Sequence, residues 1–126
     1  MKEIVSTDKA PQAIGPYSQA VKTGSLLFVS GQIPFTPDTG TLAGANIEIQ
    51  TVQVLENVKA VVEAAGARLS NVVKTSCFLK DMNDFAEFNQ IYGRYFAASP
   101  PARECVEVAR LPKDVLIEVS AICELD

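Results

Sequence analysis

The stretch Val115-Leu116-Ile117-Glu118-Val119-Ser120-Ala121-Ile122-Cys123 decides the fold. Side chains alternate across a strand, so Val115, Ile117, Val119 and Ala121 make one apolar row and Leu116, Glu118, Ser120 and Ile122 the opposite one. The first row needs helices packed on it. The second is mixed rather than solvated and carries a carboxylate in mid-strand. Leu26 to Ser30 is apolar on both faces as well. Two helices on one side cannot cover both faces of such a sheet, so the second face is expected to pack against other subunits; a short loop lid is the alternative.

Working outward, Glu3 to Ser6, Ser18 to Lys22 and Leu26 to Ser30 read as strands, the last two forming a hairpin through Thr23-Gly24-Ser25. Residues 33 to 46, with Pro34, Pro37, Gly40 and Gly44, are a long loop. From Ile47 to Ala65 the apolar residues Val54, Leu55, Val58, Val61, Val62 and Ala65 recur at helical spacing, and Gly66 is a natural stop. Val72 to Leu79 is rich in β-branched residues and predicts a strand. Asp84 with Glu87 resembles a capping box for a helix carrying Phe85, Phe88, Tyr92, Tyr95 and Phe96 on one stripe, which reads as core. Glu104 to Ala109 and Val115 to Cys123 are the final strands. The order βββαβαββ gives an α+β domain with a mixed sheet and two helices on one face, with residues 1–126 as a single domain.

Composition narrows the chemistry. The 126 residues are 48% hydrophobic and 21% charged, the profile of a globular domain. There is no His, hence no Ser-His-Asp triad, no Cys-His dyad and no imidazole metal site. A net charge of -4 has the wrong sign for neutralising phosphates, so no nucleic acid partner is expected. Three widely spaced Cys form no CxxC element and suit a reducing compartment. Residues 1 to 12 lack a signal-peptide core, and the longest strongly apolar run, Leu26 to Val29, is far too short for a membrane span, so a cytoplasmic location is the expectation.

Few residues remain that could do chemistry. Arg103 follows Pro100-Pro101-Ala102, where a rigid turn can fix a guanidinium fork suited to a carboxylate. Its plainer role is a surface ion pair. Glu118, flanked by Ile117 and Val119, needs a partner or a task; tying subunits together competes with catalysis. Parity puts Arg103 with Cys105 on one face and Glu118 with Ser120 on one face; whether those faces coincide depends on register. Cys105 reads as a small buried hydrophobe, since nothing like His is present to activate it. Gly15-Pro16-Tyr17-Ser18 and Ser30-Gly31-Gln32-Ile33-Pro34 are turn-like segments offering hydroxyls and close backbone approach.

Five collinear stretches carry a resemblance: 13–19 (Ala-Ile-Gly-Pro-Tyr-Ser-Gln), 30–34, 57–66 (Asn-Val-Lys-Ala-Val-Val-Glu-Ala-Ala-Gly), 81–85 and 101–115 (Pro-Ala-Arg-Glu-Cys-Val-Glu-Val-Ala-Arg-Leu-Pro-Lys-Asp-Val). Together they resemble the RidA (YjgF) family of reactive intermediate deaminases over essentially the whole chain. The resemblance implies a chorismate-mutase-like domain assembled as a homotrimer with ligand clefts between subunits, and a last strand lying centrally in the sheet. It implies hydrolysis of 2-imino acids or their enamines, such as 2-iminobutanoate and 2-iminopropanoate, to 2-keto acids and ammonia. These intermediates leave pyridoxal-phosphate-dependent Ser/Thr dehydratases. By position, Arg103 clamps the substrate carboxylate and Glu118 orients or deprotonates the attacking water, while Tyr17, Ser30, Gly31, Asn89 and the Cys105 backbone line the cleft. No cofactor, metal or membrane is implied. The chain departs from its relatives in a short connection from Ala97 to Pro101 without an aromatic, in Glu104 where a small residue is usual, and in Ser120 where a second carboxylate is common. Two other functions fit a site of this kind: binding a small carboxylate without turnover, and the RNA-directed translation inhibition described for relatives, which the acidic charge and missing His oppose.

Overall fold

The computed structural model describes residues 1–126. Its elements are β1 (Glu3–Val5), β2 (Ala20–Thr23), β3 (Leu26–Gln32), α1 (Ile47–Ala64), β4 (Val72–Leu79), α2 (Phe85–Phe96), β5 (Ala102–Glu107) and β6 (Ile117–Glu124). The strands form one mixed sheet in the order β1-β2-β3-β6-β4-β5, with both helices on one face and only the β4–β5 pair parallel. The α+β class and element order are those expected from sequence. The last strand lies between β3 and β4, antiparallel to both, because its row Ile117, Val119, Ala121 and Cys123 is fully or nearly buried beneath the helices.

The valine-rich face of α1 and the Phe88, Tyr92 and Phe96 face of α2 close this core against Leu27, Val29 and the β6 row. Asn46 caps α1 by accepting from Ile49 N–H at 2.8 Å, and Gly66, at φ 83, turns the chain away after it. Buried amides hold the loops to this frame. Gln19 accepts from Thr7 N–H and donates to the carbonyls of Thr7, Ala10 and Pro11, while Asn57 donates to those of Ile33 and Phe35. Gln19 and Asn57, one residue each from the stretches 13–19 and 57–66, thus clamp loops while meeting the satisfaction that buried polar groups require.

Several local expectations shift. β2 begins at Ala20 rather than Ser18, because the Ser18 carbonyl is taken by the Ser30 hydroxyl at 2.6 Å and Gln19 turns inward. β5 spans 102–107, its length set by the in-register pairing of Lys74 with Ala102 through Leu79 with Glu107. β6 starts at Ile117, since Leu116 N–H donates to the Gln50 side chain instead of a strand neighbour. Asp84 and Glu87 form no capping box: Asp81 accepts from Asn83 N–H at 2.9 Å and caps a one-turn 3-10 segment ahead of α2. Tyr95 is half-buried and donates to Glu56 at 2.8 Å, and Ile91 takes the core position instead.

The other sheet face has no helix on it. One register row across it reads Ile4, Val21, Phe28 and Ile122, with Ile4 63% and Phe28 41% exposed. No helix is long and apolar enough to cross a membrane.

Candidate functional site

Arg103 sits on the edge strand β5, opposite Thr75 of β4 and below α2. Its guanidinium carbon lies 4.7 Å from the Tyr92 ring centroid and 5.6 and 5.7 Å from those of Phe85 and Phe88. One Nη1–H donates to Asn89 Oδ1 at 2.8 Å. The Tyr92 ring is itself fixed, its hydroxyl 2.7 Å from the buried Thr75 hydroxyl. A planar cation stacked on aromatic faces and pinned by one amide keeps a defined fork direction. Arg103 forms no ion pair within the chain. A cavity of about 480 Å³ opens beside it, bounded by Asn89, Tyr92, Gly93, Phe96 and Pro101.

Cys105, two residues along the same face, pairs in register with Cys77. Burial pushes the Cys105 thiol up against the lowering pull of Arg103, and pushes Cys77 up to about 12. Neither is a ready thiolate.

Glu118 lies on the other face of the sheet. The β3–β6 ladder shifts register between Val29 and Gln32, and the Glu118 carboxyl folds over the backbone of Gly31 in that irregularity. A Cβ at Gly31 would overlap the carboxylate oxygen and come within 2.9 Å of its carbon, so glycine is needed for this approach. The Ser30 hydroxyl donates to the Ser18 carbonyl at 2.6 Å and the Ser30 N–H to the Gln19 carbonyl at 2.9 Å, which brings the loop carrying Tyr17, 52% exposed, alongside the same irregularity. The Glu118 carboxylate makes no hydrogen bond or ion pair within the chain, and burial raises its pKa above the ordinary 4.5.

Register therefore answers the question parity left open. Thr75 pairs with Arg103 on one side and Ala121 on the other, while Phe78 pairs with Val106 and Glu118. Arg103, Cys105 and Asn89 belong to the helix side; Tyr17, Ser30, Gly31 and Glu118 gather at the bare side and its rim. Within one chain Arg103 and Glu118 do not form a single site. Glu104 points to the bare face, as strand alternation requires, where it meets Ser76 at 2.6 Å and Lys74 at 3.1 Å.

The aromatic platform under Arg103 is the functional feature that sequence reasoning missed. Phe85, Phe88 and Tyr92 read as core only; Phe88 and Tyr92 are core and Phe85 packs half-buried against it, yet all three rings also seat the guanidinium. The available signal was Asn89, a polar residue one turn from Phe85 and within the stripe. Chemically, the Arg103 Nε–H and Nη2–H groups are free to grip a carboxylate, and Glu118 is a carboxylate free to accept a proton. No cluster of three or more His, Cys, Asp or Glu is placed to hold a metal ion.

A family model described as endoribonuclease L-PSP matches residues 7–125. A RutC family protein of Pyrococcus horikoshii is 58% identical over 122 residues, covering 97% of each chain. The 2-iminobutanoate/2-iminopropanoate deaminase of Salmonella typhimurium is 54% identical over 125 residues, again covering 97% of each. The crystal structure of Escherichia coli TdcF with bound serine has a TM-score of 0.95 at 47% identity, with 98% of this chain and 99% of that one covered. Similarity that runs the length of the chain, through both the Arg103 and the Glu118 segments, makes this protein a member of the RidA/YjgF, or endoribonuclease L-PSP, family.

Proposed function

We propose that this protein is a cytoplasmic homotrimer that hydrolyses 2-imino acids, 2-iminobutanoate and 2-iminopropanoate among them, to 2-keto acids and ammonia. The observation that carries the reading is Arg103: a guanidinium held by three rings and Asn89, with no carboxylate of its own chain to pair with. Two relatives that bear the deaminase name, at 54% and 52% identity, and one crystallised with serine, an amino-acid carboxylate, support the same ligand chemistry.

Because the Arg103 and Glu118 groups lie on opposite faces of one sheet, the site is shared: Arg103 and Asn89 of one subunit face Tyr17, Ser30, Gly31 and Glu118 of the next. The bare apolar face supplies the reason for assembly. Arg103 grips the substrate carboxylate through two parallel N–H bonds. Water bound by Glu118 attacks the iminium carbon as its proton passes to the carboxylate, giving a carbinolamine. The protonated Glu118 returns its proton to nitrogen, and the carbinolamine hydroxyl gives up its own proton to the carboxylate as the C–N bond breaks, which releases ammonia and leaves the keto group. A protonated imine is already electrophilic, so one aligned water and one base suffice.

The endoribonuclease description gives RNA as a second reading. A charge of -4 and the absence of His oppose it, and binding that falls steeply with salt would revive it. The test is a threonine dehydratase generating 2-iminobutanoate, with keto-acid release followed with and without this protein. Unaltered release, with the ligand still bound, would leave a non-catalytic carboxylate binder. Mixing Arg103→Lys and Glu118→Gln subunits tests the shared site: about a quarter of the clefts in random trimers join two intact halves, so activity should reappear on mixing. Activity no higher than that of the separate variants, in trimers reassembled from the mixture, would refute the shared cleft.

A further inference from the structure

We infer that α2 and the 97–101 connection form a side-chain shelf beside Arg103 that selects 2-imino acids with branched or aromatic apolar side chains, and that Gly93 is the residue that keeps it open. The inference rests on the deaminase reading above and concerns which substrate that site prefers.

Gly93 is the starting observation. It lies in the interior of α2, where glycine weakens a helix relative to alanine. Neither of the usual structural reasons for a helical glycine applies. Its φ is not positive, and a Cβ built on it would meet nothing within 4 Å. The missing side chain instead opens onto the cavity beside Arg103. Asn89 and Gly93 are four residues apart and share a helix face, so the residue that pins the guanidinium and the residue that leaves the gap look into the same space.

The size and lining of that space set the ligand class. On the single chain it is an open depression of about 480 Å³, which leaves room beside Arg103 for a side chain longer than that of a four-carbon acid even with a neighbouring subunit across its mouth. Its polar groups, Asn89 and Arg103, are hydrogen-bonded to each other. Ala97, Pro100 and Pro101 supply the accessible apolar surface, over a floor formed by the buried Tyr92 and Phe96. A ligand anchored by its carboxylate on Arg103 thus finds an apolar wall where its side chain extends, with the proline pair limiting how far that wall can collapse. A methyl or ethyl group leaves most of it wet; an isobutyl or benzyl group covers it.

Titration calorimetry on the intact protein with stable 2-keto acids reads the shelf independently of turnover. 4-Methyl-2-oxopentanoate should bind about tenfold tighter than 2-oxobutanoate, the effect of burying two further carbons. Gly93→Leu should remove that preference, and Gly93→Ala should reduce it while melting no lower than the parent, which separates filling from misfolding. In the coupled assay, the ratio of kcat/KM for the leucine-derived imine to that for 2-iminobutanoate should fall at least tenfold in Gly93→Leu. Equal affinities for the two keto acids in the parent protein, or no binding of either, would overturn the shelf. Size-dependent binding without hydrolysis of any imine would leave the shelf standing and refute the deaminase reading instead.

Discussion

Glu118→Gln separates the possible roles of the one half-buried carboxylate on the bare face. The substitution keeps shape and removes charge. Glu118 has no donor within its chain, and burial raises its pKa above 4.5, so the fold holds the neutral acid more easily than the carboxylate. A raised carboxyl pKa means that the folded chain binds the proton more tightly than the unfolded one. Its contribution to stability is thus complete below about pH 4.5 and declines as pH rises through the elevated folded value. At pH 7 the glutamine variant should be the more stable. Because the group remains partly exposed, solvent screening limits the gain to about 0.2–1 kcal/mol, or roughly 1 to 5 °C in melting temperature. Melts at pH 7 and at pH 4 check the sign, since the gap should close at the lower pH. Deaminase turnover should fall by about 10²-fold, the scale of a lost general base. In the parent protein, activity should fall with acidification through a pKa above the ordinary carboxylate value. A variant that melts lower at pH 7 and keeps full activity would mean that Glu118 ties subunits together and takes no part in turnover.

Arg103→Lys should lower kcat/KM by about 10- to 150-fold, because an ammonium loses a charge-assisted contact and cannot lie flat on the rings; unchanged kinetics would place the carboxylate elsewhere. Gly31→Ala should leave melting within about 1 kcal/mol, since the added Cβ meets only the movable end of Glu118, while turnover drops at least about tenfold as that carboxylate is displaced. Cys105→Ser should retain activity within about tenfold, as burial keeps the thiol protonated; loss beyond about a thousandfold in an intact trimer would demand thiol chemistry. Tyr92→Phe should cost about 1–3 kcal/mol by leaving the buried Thr75 hydroxyl with only the weak Cys77 thiol as a side-chain partner, and adding Thr75→Val should recover most of it, as a double-mutant cycle of melting curves would show.

The helical faces were legible because their side chains must reach one core: Val54, Val58, Val61 and Val62 recur at a spacing that no strand could bury on one side. The row Ile117, Val119, Ala121 spoke as clearly. Where an element began was harder to read, because a single side-chain bond decides it: Gln50 takes the Leu116 N–H and shortens β6, and Asp81 caps the turn that Asp84 and Glu87 were expected to cap. The site was legible as residue types and illegible as geometry. Arg103 and Glu118 both stood out, but their relation depends on β4 lying between β5 and β6, a long-range pairing that local pattern cannot fix. The aromatic platform escaped for a different reason. Phe85, Phe88 and Tyr92 satisfy the core pattern completely, so nothing in their spacing reveals a second duty.

The separation of the two charges across the sheet bears on how such a site would work. On the isolated chain Glu118 is half-buried and unpaired, which is tolerable while water still reaches it. Covering the bare face with a neighbouring subunit, as proposed, strips that water away and raises the carboxyl pKa further unless positive charge arrives. In the proposed assembly the neighbour's Arg103 would bring such charge to the rim, while Asn89 and the three rings, which hold it within its own chain, would keep it to its own side of the cleft. A collapsed Arg–Glu pair would neutralise both groups and close the site. On the proposed reading, the platform would serve catalysis by restraint, keeping the fork open for a carboxylate and leaving the acid waiting for a cation. A 2-iminium acid, anionic at one end and cationic at the adjacent carbon and nitrogen, is the ligand that satisfies both at once, and the attacking water occupies the gap the restrained arginine preserves.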